Sequence, residues 1–365
     1  MSLLTGLSLL PSRLSGPVRR GRGLLVIAGG DAGQTALFAK SVSSFAALAD
    51  AGEPVTILLD KDAAALSFLF PPGLQTEFCD WKRFRRSLRY RLLICTRMRR
   101  RNFRLVVCTS PDRHPLADDV LVAACQTDAW AGEAHPLPRF AREQQAGRRL
   151  FSRLIPADPV PVHDLIRWTH LAEQLSGRTL TLPSLAPAAG PPARQPDMRR
   201  TIMIHPFTTD SRRELAPAQM MKLIAELPAD CRLLISGTSS ELNRHSLWQP
   251  VLQSGRVNAD TRPLQEKFTA LHQISALITV DHVMTHLGTL AGTPTFSLCS
   301  AAFCGHTLPY PPGLCPPSTR FYHAPCDHAG CRGECHYPLR DGAFVCLPWN
   351  SLQDVTEDVL RILSR

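Results

Sequence analysis

Short apolar runs recur along the chain, and each is followed by polar or glycine residues. Runs of this length without alternation are typical of strands buried on both faces of a parallel sheet. Between them lie segments whose apolar residues recur at helical spacing. The sequence therefore predicts an α/β protein in which strands alternate with helices. The runs cover residues 23–28, 54–60, 104–109, 201–204, 232–236, 274–280 and 295–298.

Composition and length extend this picture to two domains. A chain of 365 residues exceeds one ordinary core, and residues 182–200 are rich in proline and alanine, which is typical of a linker. We therefore predict an N-terminal domain over 21–181, a C-terminal domain over 201–350 and a final helix within 351–365. Residues 1–20 lack a basic start before their apolar part, so they are interpreted as a flexible arm. This interpretation predicts a cytoplasmic protein that can contact the surface of the inner membrane.

The formal net charge is +10, and much of it lies in one segment. Residues 81–104 contain many arginines, no acidic residue and interleaved apolar residues, a pattern that predicts a basic amphipathic helix. Such a helix is a candidate docking surface for an acidic partner, either a phosphorylated lipid headgroup or nucleic acid. A solvated helix face is the alternative.

Polar side chains follow the strands of the C-terminal domain. Asp281, His282, Thr285 and His286 come directly after the run 274–280, where parallel sheets bind ligands and helix N-termini attract anions. After the run 201–204, two hydroxyls and two guanidiniums suit a diphosphate, with a solvated loop as the alternative. These four residues are Thr208, Thr209, Arg212 and Arg213.

The stretch 280–295 resembles the D-T-G-x-x-H-L-A-x-x-x-G-x-P signature of the heptosyltransferases. His282 and Val283 replace the Thr-Gly pair of that signature, and Val283 adds a Cβ where the family backbone approaches a diphosphate. The resemblance implies a GT-B-like α/β fold, in which two Rossmann-like domains face each other across a cleft, here with a cysteine-rich C-terminal loop. The matching residues are Asp281, His286, Leu287, Gly292 and Pro294.

The same resemblance assigns roles outside this stretch. Asp31 follows the first strand, as the proposed catalytic base of the family does, and Asp112 past the run 104–109 is the reserve candidate. Glu241 matches an acidic residue that holds the ribose hydroxyls. Simpler alternatives are a helix N-cap for Asp31, a turn residue for Asp112, and a helix cap formed by Ser239 with Glu241.

A cluster of cysteines lies near the C-terminus. Cys326, Cys331, Cys335 and Cys346 fall in a loop of low periodicity, and four thiolates can close a zinc or iron site that staples such a loop. Many members of the resembling family carry four cysteines here, and a subgroup that modifies autotransporter proteins is associated with iron. A reduced loop without metal is the alternative. Five further cysteines, beside apolar residues, are interpreted as core fillers: Cys79, Cys95, Cys108, Cys125 and Cys231.

The resemblance implies an inverting transferase that moves heptose from ADP-heptose to an acceptor hydroxyl, without an organic cofactor. The acceptor is a lipopolysaccharide core sugar or a protein serine, so the expected partners are an acidic glycolipid or protein and a peripheral membrane surface, and no nucleic acid. The rival interpretation is a non-catalytic, metal-stapled binding protein that docks nucleic acid or membrane through residues 81–104. The sequence predicts no oligomeric state.

Overall fold

The chain divides into two compact units, Met1–Pro183 and Ser184–Arg365. The computed structural model describes residues 21–110, 112–134, 137–156, 162–187, 200–244, 248–348 and 351–364. The division falls within the stretch 182–200 that the composition marks as a linker. The predicted arm 1–20 and most of that linker lie outside the described residues.

Unit 1 contains a parallel six-stranded sheet in the order β3-β2-β1-β4-β5-β6. Its strands are β1 (Leu24–Ala28), β2 (Val55–Asp60), β3 (Gln75–Cys79), β4 (Leu105–Cys108), β5 (Asp128–Gly132) and β6 (Arg153–Ile155). Its helices are α1 (Ala32–Ala46), α2 (Trp81–Arg86), α3 (Leu88–Arg100), α4 (Asp118–Cys125), α5 (Ala141–Gly147) and α6 (Asp164–Ser176).

Unit 2 contains a second parallel six-stranded sheet, in the order β12-β11-β10-β7-β8-β9. Its strands are β7 (Thr201–His205), β8 (Arg232–Ser236), β9 (Val257–Asp260), β10 (Ala276–Val280), β11 (Thr295–Leu298) and β12 (Thr319–Tyr322). Its helices are α7 (Pro217–Glu226), α8 (Ser239–Arg244), α9 (Gln249–Gln253), α10 (Leu264–Leu271), α11 (Val283–Ala291) and α12 (Leu352–Leu363).

The two sheets have the same connectivity. In each unit the first strand lies at the centre, and the fourth strand of the unit pairs with it on the side opposite the second. This is the doubly wound order, in which ligands bind where the chain reverses direction across the sheet. The reversal lies between β1 and β4 in unit 1 and between β7 and β10 in unit 2, so the loops after these four strands are the candidate binding loops.

The apolar runs form the central strands of the two sheets, because these strands have no contact with water. Every residue of β1, β7, β10 and β11 is buried, and their aliphatic side chains form the cores of the two units. The final helix α12 adds Val355 and Val359 to the core of unit 2, and Thr356 donates a 2.9 Å hydrogen bond to Glu226 of α7. No helix in the described ranges is both long and apolar enough to cross a bilayer.

The basic segment 81–104 is not one helix, contrary to the prediction. Ser87 has extended backbone angles that end α2, and its hydroxyl accepts a 3.3 Å hydrogen bond from Tyr90 N at the start of α3. Arg91 turns back from α3 and donates to the carbonyls of Phe84 and Arg85, at 3.0 and 2.7 Å. One serine cap and one buried arginine therefore satisfy the backbone groups that the break leaves open.

Candidate active site

In unit 2, β7 and β10 bring two polar loops together. The strands are paired, with Thr279 opposite His205, so the residues that follow β10 lie beside the end of β7. The imidazoles of His205 and His282 stack, with ring centroids 4.3 Å apart. Asp281 is 4% exposed and accepts a hydrogen bond from Ser300 Oγ at 3.4 Å. The loops after these strands thus form one polar cluster at the switch point, as their positions in the sequence predict.

Arg213 is the guanidinium that reaches this cluster. Its Nη1 lies 3.4 Å from Asp281 Oδ2 and donates to the Asp281 carbonyl at the same distance. Its Nη2 donates to Thr209 Oγ1 at 3.3 Å, and Phe303 packs against the guanidinium at 5.0 Å. Arg213 is thereby fixed between the two loops, with an exposed threonine beside it. A cation held next to a helix N-terminus is suited to bind a diphosphate.

His282 caps α11 as a neutral imidazole. Its Nδ1 accepts a 3.3 Å hydrogen bond from Met284 N. The pKa of His282 is lowered to about 4, mainly by burial. The charge of Glu241 opposes this shift, and the charge of Arg213 adds to it. Val283 begins the helix and is 4% exposed, so its side chain packs inward. The replacement of Thr-Gly by His-Val therefore keeps a capped helix N-terminus.

Lys267 of α10 is a candidate site residue that the sequence did not indicate. It is 4% exposed, and its Nζ donates a 3.1 Å hydrogen bond to the carbonyl of Gly237, in the loop between β8 and α8. Burial lowers the pKa of Lys267, and the carboxylates of Asp260 and Glu241 oppose the shift. Burial likewise lowers the pKa of His205, with His282 and Lys267 adding to the effect. A buried ammonium within a cluster of imidazoles is a typical feature of functional sites.

Three predicted donor-binding residues are held within their own loops. Thr208 Oγ1 donates to the carbonyl of Asp210 at 2.6 Å, which closes a turn. Arg212 makes a two-pronged ion pair with Asp210, at 2.9 and 2.8 Å, and lies over the ring of Phe344.

Glu241 Oε2 accepts from Thr238 N at 2.7 Å and from Thr238 Oγ1 at 2.9 Å. The helix-cap alternative thus describes Glu241, with Thr238 in place of Ser239 as its partner.

Thr285 and His286 lie on the core side of α11. Thr285 Oγ1 donates to the Val280 carbonyl at 3.0 Å and lies 3.1 Å from Ser297 Oγ. His286 Nδ1 is 2.6 Å from Tyr310 Oη, and both side chains are buried. The two residues therefore anchor the helix, whereas Asp281 and His282 at its start remain at the strand ends.

The switch point of unit 1 presents a carboxylate. Asp31 caps α1: its Oδ1 accepts from Gln34 N at 2.8 Å, while its own N–H donates to Gln34 Oε1 at 3.3 Å. The side chain is exposed, at the end of β1. Asp112 is half-buried in the turn after β4, at the same edge of the sheet. A shallow pocket between these loops is lined by Gly29, Gly30, Gln34, Thr109, Ser110 and Trp168.

A second cavity of about 200 Å³ lies beside this edge, lined by both polar and apolar side chains. Arg113 is 2% exposed, and its Nε is 2.7 Å from Asp119 Oδ1. Burial raises the pKa of Asp119 to about 6, and the charge of Arg113 works against that rise. Gly147 leaves room for this pair, because a Cβ there would come within 2.0 Å of Asp119 Oδ2. The lining residues include Arg113, Glu133, Gln144, Gln145 and Arg148.

The cysteine-rich loop packs behind the cluster of unit 2. Cys326, Cys331, Cys335 and Cys346 gather with Cys304 around the buried ring of Phe344, and Cys346 Sγ accepts a 3.3 Å hydrogen bond from Ala301 N. Burial raises the pKa of Cys346 to about 11, and the other thiols nearby contribute. Across the described residues, no group of three His, Cys, Asp or Glu side chains has the spacing that a metal ion needs.

The scattered cysteines behave as predicted. Cys79, Cys95, Cys108, Cys125 and Cys231 are all buried. Burial raises the pKa of Cys95 to about 12, which keeps the thiol protonated. These side chains therefore act as small apolar core residues.

Comparison with known proteins supports the fold. A family 9 glycosyl transferase from Veillonella parvula superposes with a TM-score of 0.67 at 14% identity, over 96% of this chain and 99% of that one. Heptosyltransferase WaaC of E. coli, solved with ADP-2-deoxy-2-fluoro heptose, gives 0.64 at 13% identity, over 92% and 99%. The iron-containing dodecameric glycosyltransferase TibC of enterotoxigenic E. coli gives 0.50 at 12% identity, over 96% and 78%.

No family model matches the sequence, and no curated protein matches it either. The similarity is therefore one of fold. Two successive Rossmann-like units give the chain the GT-B-like α/β fold. The predicted likeness to the heptosyltransferases is confirmed at that level, over nearly the whole length of their solved structures.

Proposed function

We propose that the protein is a glycosyltransferase that moves a sugar from a nucleoside diphosphate donor to an acceptor hydroxyl. The observation that carries this proposal is the cluster of Arg213, Asp281 and the capped start of α11 at the switch point of unit 2. A fixed guanidinium beside helix amides is the arrangement that stabilises charge on a leaving diphosphate. The fold supports the proposal, since WaaC of the same fold was solved with an ADP-sugar analogue.

The proposed donor is ADP-heptose. Arg213 and Thr209 bind the diphosphate, because the guanidinium and the hydroxyl can both donate to its oxygens. Lys267 and Glu241 lie at the adjacent strand end, on the nucleoside side of this cluster, and Glu241 accepts the ribose hydroxyls after exchanging them for its contacts with Thr238. Arg212 is paired with Asp210 and stabilises the loop, and it does not contact the donor.

The proposed mechanism is an inverting displacement. Asp31 takes the proton of the acceptor hydroxyl as that oxygen bonds to the anomeric carbon. The bond from this carbon to the diphosphate oxygen breaks, and the electron pair leaves with ADP, where Arg213 and the helix N-terminus stabilise the charge. Attack opposite the leaving group inverts the anomeric centre. Asp31 suits the role because its carboxylate is exposed and one oxygen already anchors it to Gln34.

The proposed acceptor is a sugar hydroxyl of a glycolipid core or a protein serine. The polar cavity of unit 1 suits either, because its guanidinium and amide side chains can donate to and accept from hydroxyl groups. The fixed pair of Arg113 and Asp119 gives the cavity a rigid wall. The proposed place of action is the cytoplasm, at the membrane surface where glycolipid acceptors are found.

We also propose a structural metal at the cysteine-rich loop. The types of ligand suit zinc or iron, because four thiols are typical of sites for these metals. The backbone N–H of Ala301 also donates to the sulfur of Cys346. Cys326, Cys331, Cys335 and Cys346 would hold the ion after closing toward one another. Bound metal would tie the loop together behind Asp281 and supply no step of the transfer. TibC, of similar fold, is described as containing iron.

Product analysis tests the proposed function. Purified protein is incubated with ADP-heptose and either a glycolipid core or a serine-containing protein, and mass spectrometry follows each acceptor. The expected result is one heptose added to one acceptor class, with ADP released in equal amount. Absence of transfer to both classes, together with absence of ADP binding, would contradict a transferase and support the rival docking protein.

A further inference from the structure

We propose that the arginine face, an exposed surface of α2 and α3, docks onto the anionic headgroups of a phospholipid bilayer. This inference is independent of the proposed transferase activity. The arginine face is defined as Arg85, Arg86, Arg89 and Arg100 together with Leu88 and Leu93, all exposed in unit 1.

The structure separates structural arginines of this segment from outward-facing ones. Arg91 is buried and binds backbone carbonyls, Arg97 and Arg101 pair with Glu77, and Arg104 pairs with Glu53 at 2.6 Å. Arg91, Arg97 and Arg101 connect the two helices to each other and to β3, and Arg104 anchors the start of β4. Their guanidinium groups are already bound to carboxylates or to backbone carbonyls, so they contribute little to the binding of an external partner.

The arginines of the arginine face have no such partner. No ion pair or hydrogen bond links the side chains of Arg85, Arg86, Arg89 or Arg100 to an acidic residue in the described parts of the chain. The sequence around them contains no acid from residue 81 to residue 104. Exposed cations on two consecutive helices, without an acidic partner among the described residues, are complementary to a surface of negative charge.

Two exposed leucines distinguish between the two candidate partners, a nucleic acid and an anionic bilayer. The side chain of Leu93 is 62% exposed and that of Leu88 is 41% exposed. Leu93 lies one helical turn after Arg89 and two turns before Arg100, so apolar and cationic groups share one stripe of α3. Phosphates of a nucleic acid give exposed leucines no apolar contact, whereas a bilayer accepts them below its headgroups. The surface therefore fits an anionic bilayer.

Vesicle binding tests the proposal. The full chain is sedimented with neutral phosphatidylcholine vesicles and with vesicles that contain about 30% phosphatidylglycerol, at about 100 mM salt. We expect binding to the anionic vesicles alone. The double variant Arg86→Glu, Arg89→Glu should weaken this binding about tenfold or more, since each headgroup contact is lost. Leu93→Ser should weaken it about threefold, since it removes the apolar contact and no charge.

A matched control separates location from net charge. Arg142→Glu with Arg178→Glu makes the same charge change at two other exposed positions of unit 1 and should retain binding within about threefold. Equal losses in both double variants would overturn the proposal, because only total charge would then matter. Unchanged binding of Leu93→Ser, with tighter binding to a DNA duplex than to vesicles, would overturn it in favour of nucleic acid. Thermal unfolding of each variant verifies the fold.

Discussion

The switch points of the two units have the same strand order but opposite chemistry. In unit 2 the loops after β7 and β10, together with α10, bring together Arg213, Lys267 and two imidazoles, and Lys267 and His205 are buried. In unit 1 the equivalent position after β1 presents Asp31, an exposed carboxylate. One backbone topology therefore carries the proposed anion-binding site in one unit and the proposed proton acceptor in the other. The chemistry depends on the few residues directly after each strand.

Burial explains why the two positions differ in what they can bind. Removal of water lowers the pKa of His282 to about 4, so the neutral imidazole acts as a cap, and it also lowers the pKa of Lys267. Asp31, in contrast, is exposed to water. This difference in burial agrees with the proposed roles, in which unit 2 binds the charged donor and unit 1 accepts a proton.

The largest expected effect concerns Asp31. Asp31→Asn should lower turnover about a thousandfold, because it removes the proton acceptor. Asparagine is as good an N-cap as aspartate, so α1 should remain intact. ADP-release assays measure turnover, and calorimetry with ADP should show affinity within about twofold of the wild type.

The matched variant is Asp112→Asn, at the other loop of the same switch point. It should keep turnover within about fivefold. A large loss in Asp112→Asn with normal turnover in Asp31→Asn would transfer the role of base to the reserve candidate. Loss of ADP affinity in Asp31→Asn would contradict the division of roles between the units.

A smaller effect is expected at Lys267. Lys267→Met leaves the Gly237 carbonyl without its donor, and the loop that leads into α8 and Glu241 loses this contact. We expect the KM for the donor to rise about tenfold with kcat within about threefold, as for a lost hydrogen bond to a charged group.

Lys222→Met is the control, since Lys222 is an exposed lysine of the same unit. It should leave both constants unchanged. A fall in kcat without a rise in KM for Lys267→Met would show that the lysine acts on the chemical step instead.

A smaller effect concerns stability. Asp31→Ala removes the side-chain oxygen that accepts from Gln34 N, and should lower the free energy of unfolding by about 1 kcal/mol. Asp31→Asn should cost only a few tenths of that. Urea unfolding of both variants measures the difference. Equal destabilisation by the two would show that the charge, rather than the cap, holds the start of α1.

The smallest expected effect is a flat pH profile. The pKa of His282, lowered to about 4, means that the ring gains its proton only below that pH. Donor affinity should therefore show no inflection near pH 6.5 when ADP-heptose, whose diphosphate does not titrate there, is bound without acceptor at about pH 5.5 to 8. An affinity that falls as pH rises through about 6.5, and that becomes flat in His282→Asn, would show a charged imidazole on the diphosphate.

The strands that could be predicted from sequence are those with water on neither face. β1, β7, β10 and β11 are continuous apolar runs because each is buried on both sides. The edge strands β3 and β12 and the polar strands β5 and β9 keep exposed residues, so their sequences resemble loops. Neighbouring strands, rather than local preference, give them their conformation.

The candidate site divides in the same way. Asp281 directly follows an apolar strand, and Asp31 and Arg213 lie in the segments after such strands, so these regions could be predicted from sequence, although Arg212 and Arg213 could not be distinguished. Lys267 could not, because its helix is rich in polar residues and nothing local indicates which of them faces inward. The partners of Glu241 and Arg212 depend on the turn geometry of their own loops, which spacing alone does not determine.

Calorimetric titration of ADP into the variants Arg213→Gln and Arg212→Gln is the most direct test of a nucleotide site at the switch point of unit 2. The two arginines are adjacent in sequence, but only Arg213 reaches Asp281, while Arg212 is paired with Asp210. A nucleotide site at the switch point of unit 2 predicts a loss of affinity of about thirtyfold or more for Arg213→Gln and less than about threefold for Arg212→Gln. Equal affinities in the two variants, or the reverse order, would contradict it.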